Sequence, residues 1–183
     1  MDRIWAAWRM AYVAGASKPS KGARRGAGRS APKPKAPCLF CAFGKKRPAA
    51  GNLLLAESPL SLVMLNLYPY NVGHVMVAPR RHVAAISGVT SEEAVDLTAW
   101  LGRVERAIRK EYRPHGFNLG VNMGRPAGAG VLGHLHWHVV PRWNGDTNFM
   151  PVTGGTKVLP ESLDRTYRRL KRALDATKSR SSR

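Results

Sequence analysis

A chain of 183 residues, 44% hydrophobic and with five tryptophans, can build one self-sufficient core. No stretch approaches the ~20 apolar residues of a membrane span, and two cysteines three positions apart, Cys38 and Cys41, exclude a disulfide-framed secreted fold. The formal net charge of +19 makes polyanions the natural attractants: nucleotides, nucleic acid or acidic surfaces.

At the start of the chain, Ile4, Trp5, Trp8 and Tyr12 stand at helical spacing. Residues 1–13 are therefore expected to form a short element that packs on the main body. Arg9 interrupts the apolar run that a signal peptide needs, so a cytoplasmic protein without membrane contact is expected. Residues 14–37 carry seven Lys/Arg and no acid. With almost nothing to bury, they predict a basic, disordered linker.

The main domain is expected over residues 38–178. Residues 53–56 and 60–65 read as two strands turning at Glu57-Ser58-Pro59. Tyr68-Pro69-Tyr70-Asn71 is a loop, and residues 73–78 are another strand. Thr90 or Ser91 caps a long helix whose apolar residues Ala94, Leu97, Leu101, Val104 and Ile108 recur every three or four positions, and Pro114 ends it. Residues 117–123 alternate like a strand, and a glycine-rich run follows. Pro160 and Glu161 open a last amphipathic helix through Leu163, Tyr167, Leu170 and Leu174, and residues 179–183 form a polar, disordered tail. This order of strands and helices predicts an α+β fold, with a mainly antiparallel sheet, one long helix and a C-terminal helix.

The densest chemistry is in Gly133-His134-Leu135-His136-Trp137-His138-Val139-Val140-Pro141-Arg142. In an extended segment side chains alternate, so three imidazoles share one face at roughly 6.6 Å spacing. Leu135, Trp137 and Val139 are left for the core. Three of the chain's six histidines fall within these five residues. Neutral imidazole attacks phosphorus readily and is unprotonated at neutral pH, so the row points to phosphoryl or nucleotidyl transfer through a covalent intermediate. The preceding run, Asn122 to Gly130, is small enough for backbone N–H groups to cradle a phosphate. Cys38-Leu39-Phe40-Cys41 is either half of a zinc site, with His82 and His134 as candidate partners, or a redox pair. Trp143 and Phe149 follow the histidines and stack on a base, close a pocket or simply pack.

These residues resemble a known signature. The histidine row with its apolar spacers looks like that of the histidine triad (HIT) family of nucleotide hydrolases and transferases. Asn66-Leu67-Tyr68-Pro69, then Gly73-His74-Val75-Met76-Val77-Ala78-Pro79-Arg80-Arg81-His82, is similar to a second block of that family. The segments DRIWAAWRMAYV and PRWNGDTNFMPV resemble a bacterial branch related to diadenosine tetraphosphate phosphorylases. The resemblance implies that His136 is the nucleophile, that His138 binds the phosphate and that His134 supports them.

It further implies that Asn66 lies where the family has an acid for the ribose hydroxyls, with a neutral amide in place of a charge. Asn122 and the backbone at Ala129 and Gly130 would contact phosphate, although Gly-Ala-Gly stands where many members have Gly-Gln-Ser/Thr. Zinc-containing members imply a structural site of Cys38, Cys41, His82 and His134, while no cofactor is required for catalysis. A nucleotide substrate, most directly a diadenosine polyphosphate or related adenylate, and a homodimer complete the expectation. The rivals are a protein whose basic segments bind nucleic acid and which processes adenylated ends, and a nucleotide-binding module with little catalysis.

Overall fold

Five strands and three α-helices occur among the described residues, 38–147 and 158–178, of a computed structural model of the chain. In chain order they are α1 (Leu39–Phe43), β1 (Leu54–Glu57), β2 (Ser61–Leu65), β3 (Val75–Pro79), α2 (Ser91–Tyr112), β4 (Gly116–Val121), β5 (Trp137–Arg142) and α3 (Leu163–Lys178). The expected element at 1–13, the basic linker at 14–37 and the tail at 179–183 lie outside the described residues. No helix among those described is long and apolar enough to cross a membrane.

The strands form one antiparallel sheet in the order β1-β2-β3-β5-β4. β2 and β3 are buried along their whole length, which suits their near-continuous apolar sequences SLVML and VMVAP. Val63, Leu65, Val75, Val77 and Val139 point to one face, where they meet Leu97, Trp100, Val104 and Ile108 of α2 and Leu170 and Leu174 of α3. Leu54, Leu62, Met64, Met76 and Ala78 point to the other, around Phe40 of α1. The sheet register also sets one cross-strand row, Leu54–Met64–Met76–His138–Gly120. That row carries the fold's apolar floor directly into the histidine segment.

α2 begins with a reciprocal cap. The Thr90 hydroxyl accepts from the Glu93 N–H at 3.3 Å, and the Glu93 carboxylate accepts from the Thr90 N–H at 2.9 Å. Arg81 clamps the same carboxylate at 2.9 and 2.7 Å, tying the chain just after β3 to the helix start. Arg113, in the left-handed region at φ 47°, terminates the helix before Pro114. Tyr167 of α3 donates to the Leu54 carbonyl at 3.1 Å and so fixes α3 to β1.

β1, β2 and β3 are shifted from expectation by one or two residues, and three further boundaries differ for a physical reason. The histidine segment joins the ladder only at Trp137, so His134 and His136 precede β5. Its neighbour β3 ends at Pro79, which has no N–H to continue the pairing; Leu135 N–H bonds instead to the Val83 carbonyl at 2.7 Å. β4 runs two residues shorter at its end than the alternating pattern, stopping at Val121 before the glycine-rich loop. The last helix starts at Leu163, after Pro160 and Glu161, because the Ser162 hydroxyl accepts from the Arg165 N–H at 3.3 Å. Glu161 instead accepts from Tyr112, Thr166 and Arg169, joining α2 to α3.

Candidate functional site

The fold gathers five of the six histidines on the face away from α2 and α3. Successive rings lie close: His82 and His134 at 5.1 Å between centroids, His134 and Phe40 at 5.0 Å, Phe40 and His136 at 4.9 Å, His136 and His138 at 4.9 Å, and His138 and His74 at 5.1 Å. Phe40 comes from between the two cysteines and wedges between the first two triad rings. His74, His134 and His136 are only 1%, 2% and 3% exposed, so their protonation is dictated by protein partners.

Those partners assign the tautomers. His136 Nδ1 lies 2.8 Å from the His134 carbonyl, which can only accept, so Nδ1 carries the hydrogen. The unshared pair of neutral His136 therefore sits on Nε2, which has no hydrogen-bond partner among the described residues. His74 Nδ1 accepts from the Tyr70 N–H at 3.0 Å, so its hydrogen is on Nε2 and is donated to His138 Nδ1 at 2.9 Å. That leaves His138 with a hydrogen on Nε2. Burial, reinforced by the charge of His136, pushes the His138 pKa down to about 4. The Nε2 lone pair of this His136 tautomer therefore lies beside the neutral N–H donor of His138.

The two rings open on a cavity of about 560 Å³. Its lining combines apolar side chains, Leu39 and Phe43 of α1 with Met64 and Met76 of the sheet, with Asn66, His136, His138, Gly128 and Gly130. Such an amphiphilic cleft has the size and lining of a small-ligand site. Asn66 Oδ1 accepts from the Tyr68 N–H at 2.9 Å, while Asn66 Nδ2 lies 3.4 Å from His74 Nδ1. Gly128, at φ +86°, ends the single 3-10 turn Arg125–Ala127, a conformation that favours glycine.

Among the expected phosphate-cradling groups, Gly130 lines this cavity and its N–H has no partner among the described residues. Ala129 does not line it; its N–H turns inward to the Gly124 carbonyl at 3.3 Å. Asn122 lines a neighbouring cavity instead. Trp143 packs with its Nε1–H 3.4 Å from the Tyr112 carbonyl and lines neither cavity, and Phe149 lies outside the described residues.

Cys38, Cys41, His82 and His134 come together as a second constellation, with their ligand atoms all within 4.8 Å of one another. Cys38 Sγ and Cys41 Sγ lie 3.3 and 3.7 Å from His134 Nδ1, and Cys41 Sγ lies 3.3 Å from His82 Nδ1. A tetrahedral zinc, ~2.3 Å from sulfur and ~2.0 Å from nitrogen, holds its ligands roughly 3.3–3.8 Å apart. The three sulfur–nitrogen separations fall in that range, so the donor set suits such an ion. His134 donates through Nε2 to the Pro79 carbonyl at 2.8 Å, which leaves Nδ1 as the lone-pair nitrogen facing the sulfurs. Burial lowers the His134 pKa and keeps that nitrogen unprotonated.

Two contributors were not assigned a role from sequence. His74 stands in the sequence only as part of a motif, yet it sets the His138 tautomer; its place after Gly73 in that motif is its one sequence signal. α1 was read for its cysteines alone, yet Leu39, Phe40 and Phe43 wall the cavity and pack the triad.

Comparison with known proteins places this geometry in context. Residues 48–145 match the family model described as the HIT domain. The chain is 40% identical over 170 residues to an AP-4-A phosphorylase of Mycobacterium tuberculosis, covering 93% of this chain and 83% of that protein. It is 33% identical over 107 residues to an adenosine 5'-monophosphoramidase of Schizosaccharomyces pombe, covering 58% of this chain and 75% of the relative. A crystal structure of a zinc-bound histidine triad family protein from Mycobacterium smegmatis superposes with a TM-score of 0.61 at 28% identity, over 78% of this chain and 96% of that one.

Proposed function

The chain belongs to the HIT family, and from that premise we propose that it cleaves dinucleoside polyphosphates of the diadenosine tetraphosphate type by nucleotidyl transfer through His136. One observation carries the reading: His136 is fixed with its hydrogen on Nδ1, so Nε2 is the free nucleophile, and the ring lines a cavity able to take a nucleotide. The 40% identity to a phosphorylase favours phosphate over water as the acceptor.

In this reading the base packs among Leu39 and Phe43 of α1 and Met64 and Met76 of the sheet. Asn66 lies beside the ribose. His136 Nε2 attacks the α-phosphorus, the bond to the remaining phosphates breaks, and AMP is held on the ring. The imidazolium so formed keeps its Nδ1 hydrogen on the His134 carbonyl, which stabilises the positive charge. The Nε2–H of His138 donates to a phosphoryl oxygen, and His74 keeps that donor in place. Phosphate then attacks the same phosphorus, releasing ADP and restoring His136.

Cys38, Cys41, His82 and His134 would hold a structural zinc ion, whose chemistry there is to lock ligand positions. Because His134 supplies both a ligand nitrogen and the carbonyl that orients His136, the site steadies the nucleophile. Two thiols kept as ligands suit the reducing cytoplasm. The outer edge of β4 is unpaired among the described residues and offers a second copy a strand to continue the sheet, so a homodimer is part of this reading; a solution mass of a single chain would refute it. Residues 38–178 are taken as the functional domain, since α1 walls the cavity and α3 covers the sheet.

The decisive experiment incubates the protein with diadenosine tetraphosphate, with and without inorganic phosphate. ADP and ATP formed only when phosphate is present are the expected products. AMP and ATP would make it a hydrolase, and an intact substrate in both tubes would sink the reading.

A further inference from the structure

The sheet order puts a second cavity on the opposite side of His138 from the apolar slot. It holds about 400 Å³ and is lined by Tyr70, Asn118, Gly120, Asn122, His138 and Arg142, among others. Tyr70 and His138 line both cavities, so the two are adjoining. Its floor is β4, where Gly116, Asn118 and Gly120 lie opposite Arg142, Val140 and His138 of β5. A Cβ built on Gly116 or Gly120 would meet nothing within 4 Å. The strand is therefore bare next to the reactive histidines, and forms a shelf rather than a packed surface.

The polar groups around this shelf are held in place. Asp146 takes Arg142 Nε and Nη2 at 2.6 and 2.7 Å and also accepts from Asn71 Nδ2 at 2.8 Å. Arg142 Nη1 in turn donates to Asn118 Oδ1 at 2.8 Å. With its oxygen engaged, the Asn118 carboxamide has only its N–H groups left to offer, and they have no partner among the described residues. Asn122 makes no side-chain hydrogen bond among the described residues either. His138 adds its Nε2–H. N–H donors around an open strand whose glycines leave room beside His138 suit a solvated anion far better than a base or an apolar group.

We propose that this shelf binds the phosphates beyond the one His136 attacks, and then the inorganic phosphate that accepts the nucleotide; the inference rests on the function proposed above. In the first step the N–P bond to His136 forms, and the P–O bond to the tail breaks with its electron pair on the departing, ionised polyphosphate. In the second, a phosphate oxygen forms the new P–O bond, the N–P pair returns to Nε2, and the acceptor's proton passes to solvent. Tail and acceptor use one shelf in turn because both occupy the leaving position on the same phosphorus. Asn118 and Gly120 thereby set the preference for long phosphate chains over small leaving groups.

The test measures dissociation constants of AMP and of an α,β-methylene analogue of diadenosine tetraphosphate, for the wild type and for Gly120→Val. Valine suits an edge strand and has room there, and unchanged thermal unfolding verifies the fold. The wild type is expected to bind the analogue more tightly than AMP. Gly120→Val should shrink that ratio by about tenfold, the scale of one hydrogen bond to a charged group. Asn118→Leu should shrink it in the same direction. A ratio that neither substitution moves, with AMP still bound, overturns the shelf alone. A wild type that fails to bind AMP overturns the underlying nucleotide reading as well.

Discussion

The two faces of the sheet are built to opposite specifications. Toward α2 and α3, valines and leucines of the sheet pack against two long helices that contribute Leu97, Trp100 and Leu170, and the Tyr167 hydroxyl in that cluster is bonded to the Leu54 carbonyl. Toward α1 the sheet is covered by only five helical residues, one of them Phe40, with four buried or half-buried imidazoles around it. α1 is too short to be stable by itself. It is held by Phe40, by the contacts of its cysteines with His82 and His134, and by Arg80 Nη1 donating to the Gly44 carbonyl at 2.6 Å. The lesson is a division of labour: one face supplies the free energy of folding, and the other uses a thin, polar cover to keep reactive groups reachable.

The sharpest way to break that comparison is to damage each face separately. His136→Asn should lower turnover of diadenosine tetraphosphate by about 10⁴-fold or more, the scale of losing a covalent nucleophile, with little change in unfolding free energy. Leu97→Ala, on the helix face and 1% exposed, should do the reverse. It should cost about 2–5 kcal/mol of stability, read by denaturant titration, and leave kcat of the folded fraction near wild type. Equal loss of stability in both variants would refute the division.

Much of this division was legible in the sequence, and the exceptions have physical causes. The helix face was read from the 3.6-residue recurrence of Leu97, Val104 and Ile108, because burial of one stripe leaves a period behind. The row of His134, His136 and His138 was equally plain, since it needs only extended backbone to share a face. What periodicity could not give was long-range placement. The pairing of Cys38 with a histidine 96 positions away depends on tertiary packing; the residues alone offered His134 as one candidate beside a redox pair, and the family resemblance gave it weight. The roles of His74 and of α1 as a cavity wall were likewise hidden, because each is created by contacts between distant segments. The Ala129 N–H closes the loop onto Gly124, a detail that residue size alone does not reveal.

A milder perturbation tests whether the thin cover depends on its metal-ligand set. If the four residues hold zinc as proposed, Cys41→Ser should lower the zinc content, read by elemental analysis, because a closed site needs all four ligands. With α1 loosened, Leu39 and Phe43 no longer wall the cavity, and AMP should bind about tenfold more weakly, the scale of one lost apolar contact surface. Full zinc occupancy in this variant, or unchanged AMP affinity, would separate α1 from the metal ligands.

The smallest effect, a dependence of stability on pH between about 6.5 and 4, comes chiefly from the histidine face. Burial holds His138 at a pKa of about 4, well below the usual ~6.5 of an unfolded histidine. Between these values the unfolded chain takes up a proton that the folded chain refuses, so stability must rise with pH across that window. Above pH ~6.5 neither state is protonated at this residue and its contribution is constant; on acidification it is lost progressively down to about pH 4. His134 is depressed by burial and acts in the same direction. Asp146 and Glu93, held low by Arg142 and Arg81, move stability chiefly in more acidic solution. His138→Asn retains an acceptor for His74 but has nothing to titrate. The melting temperature of that variant should therefore fall less steeply than wild type between pH 6.5 and 4, and Leu97→Ala should keep the wild-type slope. A His138→Asn slope indistinguishable from wild type would mean that the buried imidazole is not what couples this face to protons.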